Sequence, residues 1–346
     1  MLQQLILGGY TKRANEGIRT IRFDESLRGS QAIQRVQPID HPTYLCLSDQ
    51  EDSLFSIVKE ETGAGVARFK KNPLGEWVED QRLLYTRIPA CHLTYDSIRR
   101  CLYVSNYHLG RLDVLALNSQ DQLAVIQTIQ YGQDQQTDPT NPSHIHYAGM
   151  SKDGRFLWVC DLGQDTVWSY QIQTEGSLEA VDSIKLPQGS GPRHLVEHPH
   201  HNWLYLVGEL NNQTTLIEFK STGCLSVLSS WPNLSQEEGQ AAGAAIKISQ
   251  DGRYLYVSSR FTNQITVFAI DPETGYLTPI QEISTCGQIP RDFALSADEK
   301  WIFVGHQESD YLSLFERDEA TGQLTFIHNE VYAPECVCVV TTQSRP

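Results

Sequence analysis

The chain of 346 residues is predicted to be all-β, a seven-bladed β-propeller with four strands in each blade. Three features predict this: a strand pattern recurring seven times, polar turns ahead of six of the copies, and two chain ends that each lack a partner strand. Self-similarity at a fixed period of this size is the mark of a repeat architecture. The recurring strand reads QLILGGY, SLFSIVK, CLYVSNY, FLWVCDL, WLYLVGE, YLYVSSR and WIFVGHQ, ending at Tyr10, Lys59, Tyr107, Leu162, Glu209, Arg260 and Gln307. Successive ends are 49, 48, 55, 47, 51 and 47 residues apart.

Each copy is an apolar and aromatic run of strand length. Three of the turns are written plainly, as Lys152-Asp153-Gly154-Arg155, Gln250-Asp251-Gly252-Arg253 and Ala297-Asp298-Glu299-Lys300. Asp-Gly supplies the positive φ that a tight hairpin needs. Ahead of the six turns lie the partner strands TYLCL, HLTY, HYAGM, HLVEH, AIKIS and DFALS. Third and fourth strands follow, as in QITVFAI, then Asp271-Pro272-Glu273-Thr274-Gly275, then LTPIQEI. Four strands per fifty-residue unit make a blade. The first strand, LILGGY, has no strand before it, and VCVV at 337–340 has none after it, so the two are expected to share one blade and leave no open edge. Residues 1–346 then read as a single domain, because each blade buries its faces only against neighbours.

Composition excludes several classes. The net charge of −15 argues against nucleic-acid binding, which needs a basic face. No apolar stretch approaches a membrane span, and MLQQLILGGY lacks a basic start and a cleavage site, so a cytoplasmic protein is expected. The eight cysteines form no CxxC pair and fall mostly among apolar strand residues, where a free cysteine reads as a small buried hydrophobe. Cys336 and Cys338 would share one strand face, but two thiols do not make a zinc site. No cofactor or metal is expected, and no P-loop, dinucleotide fingerprint or GxSxG elbow is present.

In a propeller the ends of the inner strands line a central funnel, so two sets of positions matter. Just before or at the start of the partner strands stand Ser143-His144-Ile145-His146, Pro192-Arg193-His194 and Pro290-Arg291-Asp292, with Pro42-Thr43-Tyr44 and Pro334-Glu335-Cys336 as bland counterparts. Proline suits a strand entry, whereas an arginine near a channel wall needs a carboxylate or an anionic ligand. The second set is the ring of strand ends, polar at most positions: Tyr10, Lys59, Tyr107, Glu209, Arg260 and Gln307. A structural ion pair of Glu209 with Arg193 or Arg260 is the plain alternative to a functional one. His198-Pro199-His200-His201 falls where other blades carry their Asp-Gly turn and reads as a solvated hairpin. His92 reads as structural. The stretch from Gln236 to Gly243 reads as a flexible loop or lid.

The run SHIHYAGMSKDGRFLWVCDLGQDTV, with GPRHLVEHP, YLVGELNN, KISQDGRYLYVSSRFTNQITVFAID and PRDFALSADEKWIFVGHQESD, resembles the lactonase-type seven-bladed propellers. That family includes the bacterial propeller form of 6-phosphogluconolactonase and the fungal carboxy-muconate lactonising enzymes. The resemblance spans essentially the whole chain and implies a site of a histidine, a glutamate and arginines. Matched by motif, it implies His146, Glu209, Arg193 and Arg260 as catalytic residues. It implies His144, Arg291 and Gln307 around the substrate; Tyr107 and His194, from the two sets of strand-end positions, and Lys247, at the place of a family histidine, are expected beside them. Where many relatives read A-E-I-H, this chain reads Ala244-Ala245-Ile246-Lys247, so a glutamate and a histidine are replaced.

The implied activity is hydrolysis of a small anionic sugar lactone, foremost 6-phosphoglucono-1,5-lactone. His146 or Glu209 would activate water, and the arginines would hold the anion and the developing oxyanion. A muconate-type lactonising or isomerising enzyme would use the same arginines on carboxylates. A propeller that binds a small anion or a protein partner without catalysis is the third reading, which Ala245 favours.

Overall fold

The computed structural model describes residues 2–24, 35–132, 141–235 and 240–342. Its strands pair into seven antiparallel four-stranded sheets, and no helix occurs among the described residues. The expected sharing of one sheet by the two chain ends is present: Leu2–Gly9 pairs with Cys336–Thr341, with Leu5 opposite Thr341 and Leu7 opposite Val339. In every other sheet four consecutive strands lie in sequence order.

The recurring strand is buried because it is covered on both faces. Cys101–Asn106, Phe156–Asp161, Trp203–Gly208, Tyr254–Arg260 and Trp301–His306 are buried at every residue. Such strands read as continuous apolar runs. The fourth strands, such as Leu123–Gln130 and Leu178–Lys185, bury their first residue and then expose or half-expose the rest. Side chains on their outer face meet solvent, which explains their mixed composition.

Two compact units are formed, Met1–Leu45 with Trp231–Pro346, and Cys46–Ser230. In the first, Leu5, Leu7 and Phe23 pack with Trp301, Phe303 and Leu314, so that this core lies between two of its sheets. A second core there joins Tyr256, Ile265 and Val267 with Phe293, Ile302 and Phe315. In the second unit, Tyr103, Leu112 and Val114 pack with Leu157 and Val159. Trp158 and Val167 pack with Leu204, Leu206 and Ile217.

Polar side chains fasten neighbouring sheets within each unit. Gln127 accepts from the backbone N–H of Leu178 at 2.7 Å and donates to its carbonyl at 3.0 Å. Gln281 does the same to Leu324, at 2.7 and 2.8 Å. Gln81 accepts from Leu123 N–H, and Asp182 from Leu225 N–H at 2.8 Å. The opening leucine of these four outer strands thereby has its backbone N–H satisfied by the sheet before it, which unpaired edge groups require.

The turns behave as expected, with one substitution of means. Gly154 and Gly252 take φ of 67° and 75°. Ser151 and Ser249 close these hairpins through their hydroxyls. At the third turn Glu299 itself takes φ 56°, and its carboxylate accepts from Gln250 N–H at 2.8 Å. That bond offsets part of the cost of a left-handed non-glycine residue.

Candidate functional site

The singled-out residues share a backbone irregularity. In the strand Ile145–Met150, Ile145 pairs with Asp161 and Tyr147 with Cys160, so His146 is an extra, bulged residue. In Pro192–Glu197, Pro192 pairs with Gly208 and His194 with Val207, which makes Arg193 the extra residue. In Pro290–Leu295, Pro290 pairs with His306 and Asp292 with Gly305, which makes Arg291 the extra one. A bulge breaks the alternation of a strand and re-aims one side chain. The repeat thus places His146, Arg193 and Arg291 at one equivalent position of three sheets.

In the unit Cys46–Ser230, rings gather around two of these positions. His146 lies 5.2 Å from His194 between ring centroids and edge-on to Tyr107 at 5.9 Å. His194 lies 5.5 Å from His92, and Tyr147 packs on both, at 5.3 and 4.4 Å. His92, His146 and His194 are buried, whereas His144 is half-buried and stacks flat on Tyr107 at 4.1 Å. Burial pushes the Tyr147 phenol up, so it stays protonated in this cluster. His92, read from sequence as structural, belongs to the cluster by contact.

Arg193 has a side chain only 3% exposed and pairs through Nε with Glu209 Oε2 at 3.0 Å. The loop leading to it is held by Asp165, whose carboxylate accepts from Gly189 and Gly191 N–H at 2.8 and 2.7 Å. Gly191 has φ 58° there, and a Cβ would strike Leu210, so glycine is required. The ion pair between Glu209 and Arg193, entertained as the plain reading, is present. Glu209 is therefore an engaged carboxylate rather than an isolated base.

The other unit holds the remaining candidates. Arg291 donates from Nη1 to Gln307 Oε1 at 3.1 Å. Asn263 accepts from Ile289 N–H at 2.7 Å and so anchors the loop before Arg291, as Asp165 does before Arg193. Arg260 is buried, its guanidinium 5.7 Å from the Phe261 ring centre. Lys247 is half-buried and pairs with Asp292 at 3.7 Å. Ala245 is fully buried among Tyr256, Val267 and Phe293, so a glutamate there would meet apolar neighbours.

Two expectations need correction. The turn 198–201 is a hairpin, but His198 is buried rather than solvated: its Nδ1 accepts from His200 and His201 N–H, both at 3.1 Å. It occupies the position that serine fills in the turns at Ser151 and Ser249. Cys336 and Cys338 do not share a face by simple alternation, because the strand is bulged between their pairs with Gly9 and Gly8. Cys336 joins an apolar core, and Cys338 meets the Leu45 backbone. Of the proposed lid, residues 236–239 lie outside the described residues, and Ala242 and Gly243 begin a strand. No helix among the described residues is long and apolar enough to cross a membrane.

Comparison with known proteins agrees with this architecture. The family model described as lactonase, 7-bladed beta-propeller matches residues 4–341. A Bacillus subtilis protein named 6-phosphogluconolactonase is 30% identical over 341 residues, which cover 96% of either chain. A crystal structure of a Lactobacillus plantarum protein is 32% identical and superposes with a TM-score of 0.93 over 99% of this chain and 100% of that one. The periplasmic gluconolactonase of Pseudomonas aeruginosa is 28% identical, with a TM-score of 0.86 over 99% of both. The seven four-stranded sheets are the blades of a β-propeller, and the chain belongs to the lactonase family of seven-bladed β-propellers.

Proposed function

We propose that the protein hydrolyses a sugar lactone, foremost 6-phosphoglucono-1,5-lactone. The observation that carries this reading is a buried arginine, Arg193, paired with Glu209 and adjacent in sequence to His194 within a cluster of imidazole and tyrosine rings. Lactone opening needs an acceptor for a water proton and positive charge for the tetrahedral oxyanion. As the water oxygen bonds to the lactone carbonyl carbon, an imidazole of the cluster takes its proton. The carbonyl π electrons move onto oxygen, where a guanidinium stabilises them. Collapse of that oxyanion breaks the ring C–O bond, and the departing alkoxide takes the proton back from the imidazolium. The product is the open hydroxy acid, which ionises in water.

Glu209 keeps Arg193 oriented and, being so engaged, leaves proton acceptance to the imidazoles. Arg260 and Arg291 are assigned anion-holding roles on sequence register alone. The names of the Bacillus subtilis and Pseudomonas aeruginosa relatives support the reaction class and differ in whether the lactone carries a phosphate. Sugar lactones hydrolyse unaided at a measurable rate, so general-base help of about a hundredfold is sufficient. His146→Ala and Arg193→Ala are each expected to lower the rate of lactone opening above the spontaneous background. Unchanged rates in both would overturn the assignment, and tight binding of the lactone without turnover would favour a non-catalytic propeller.

A further inference from the structure

We propose that the proton acceptor of this site is His144, held in its Nδ1–H tautomer, and that His146 serves to position the rings around it; the proposal rests on the lactone-hydrolase reading above. Four features fix the His144 imidazole. Its Nδ1 lies 3.0 Å from the carbonyl oxygen of Tyr107, a group that can only accept, so Nδ1 carries the proton. Its ring stacks on the Tyr107 ring at 4.1 Å with an interplanar angle of 5°. Its backbone N–H donates to Asp161 Oδ1 at 2.8 Å. Its Cδ2 edge lies over Gly163, where an added Cβ would come within 3.0 Å of the ring and 1.9 Å of the Pro142 carbonyl.

The lone pair of a neutral Nδ1–H imidazole resides on Nε2. That atom makes no hydrogen bond among the described residues, and it is not sealed away from solvent. The other imidazoles of the cluster differ. His92 and His194 are buried, and His92 spends its Nδ1 lone pair on Ala148 N–H at 3.4 Å. His146 is only 4% exposed. A base must reach a water that also reaches the substrate, so a half-buried imidazole with a defined tautomer and an open acceptor nitrogen meets the requirement best. The same arrangement of an imidazole whose second nitrogen is bound to a fixed acceptor is what orients histidine bases in general.

The titratable groups facing His144 are few. Asp161 holds its backbone, and burial pushes that carboxyl up while the His144 and Gln164 N–H groups pull it down. Tyr107 covers one ring face, and His108 and His146 lie beyond Tyr107, at 5.1 and 5.9 Å from its ring.

The test compares His144→Gln, His146→Gln and His144→Ala with the unaltered protein, each checked for native circular dichroism. Lactone opening, corrected for the spontaneous rate, is followed from pH 5 to 8. The unaltered protein is expected to gain rate with pH through one imidazole titration. His144→Gln should lose about a hundredfold in kcat together with that inflection. His146→Gln should keep the inflection whatever its rate. Added imidazole should restore part of the rate to His144→Ala and none to His146→Gln. A His144→Gln protein that keeps the inflection and a rate within about threefold of the original would overturn this proposal alone. An unaltered protein that opens no lactone would overturn the functional reading, and this assignment with it.

Discussion

Replacing Glu209 by glutamine preserves the shape of the Arg193 partner and removes its charge, and the structure sets opposite signs for two consequences. The guanidinium and carboxylate are 3.0 Å apart, and the side chains are 3% and 20% exposed. At an effective dielectric of about 20 their attraction is about 5 kcal/mol before desolvation is subtracted. Breaking a buried pair from one side costs about 3–5 kcal/mol. Because Glu209 retains some solvent, about 2–3 kcal/mol is the expected loss of stability. A guanidinium released from its carboxylate is at the same time a stronger anion site. The affinity for 6-phosphogluconate, the product of the proposed reaction, should rise by about tenfold, equivalent to about 1.4 kcal/mol. Chemical unfolding reads the first effect and isothermal titration calorimetry the second. An unaltered unfolding midpoint would refute the buried-pair argument. A weaker affinity would show that Glu209 touches the ligand itself rather than restraining Arg193.

His306 offers a pH test: burial pushes its imidazole down to about 4, with Nδ1 bonded to the Tyr311 carbonyl at 3.1 Å. The unfolded chain binds the extra proton first, so stability is full above about pH 6.5 and falls by about 3 kcal/mol as pH drops towards 4. Unfolding of His306→Phe should lack this slope. Gln281→Met keeps the side-chain size but strips both bonds from the Leu324 backbone, for an expected loss of about 2–3 kcal/mol in denaturant unfolding. Arg260→Ala and Arg291→Ala should each raise KM for a phosphorylated lactone with a smaller effect on an unphosphorylated one. Equal effects on both substrates would remove the anion-holding role assigned to them.

The blades were legible because their evidence is local. Runs such as CLYVSN and FLWVCD are continuous and apolar because both faces are covered, and Asp153-Gly154 and Asp251-Gly252 mark their hairpins. The unpaired strands at the two ends named the shared sheet. Bulges carry no such signature, since nothing in GPRHL shows that Arg193 is the residue left over between Pro192 and His194. The sequence therefore placed His146, Arg193 and Arg291 near strand entries without revealing their common geometry. The glutamine fasteners were equally hidden, because Gln127 and Gln281 sit on strands whose other polar residues face solvent. His198 departs from the expectation because three histidines in a turn look solvated, while the serine role of its first position emerges only from the hydrogen bonds. The tautomer of His144 depends on a carbonyl at Tyr107, 37 residues away.

Whether this propeller opens sugar lactones is tested most directly by the initial rate of ring opening of 6-phosphoglucono-1,5-lactone with the spontaneous rate subtracted. Glucono-1,5-lactone and a muconolactone serve as parallel substrates. Saturable acceleration of both sugar lactones is expected, with the lower KM for the phosphorylated one. A rate equal to the spontaneous rate at micromolar protein, for both sugar lactones, would rule out lactone hydrolysis by this propeller.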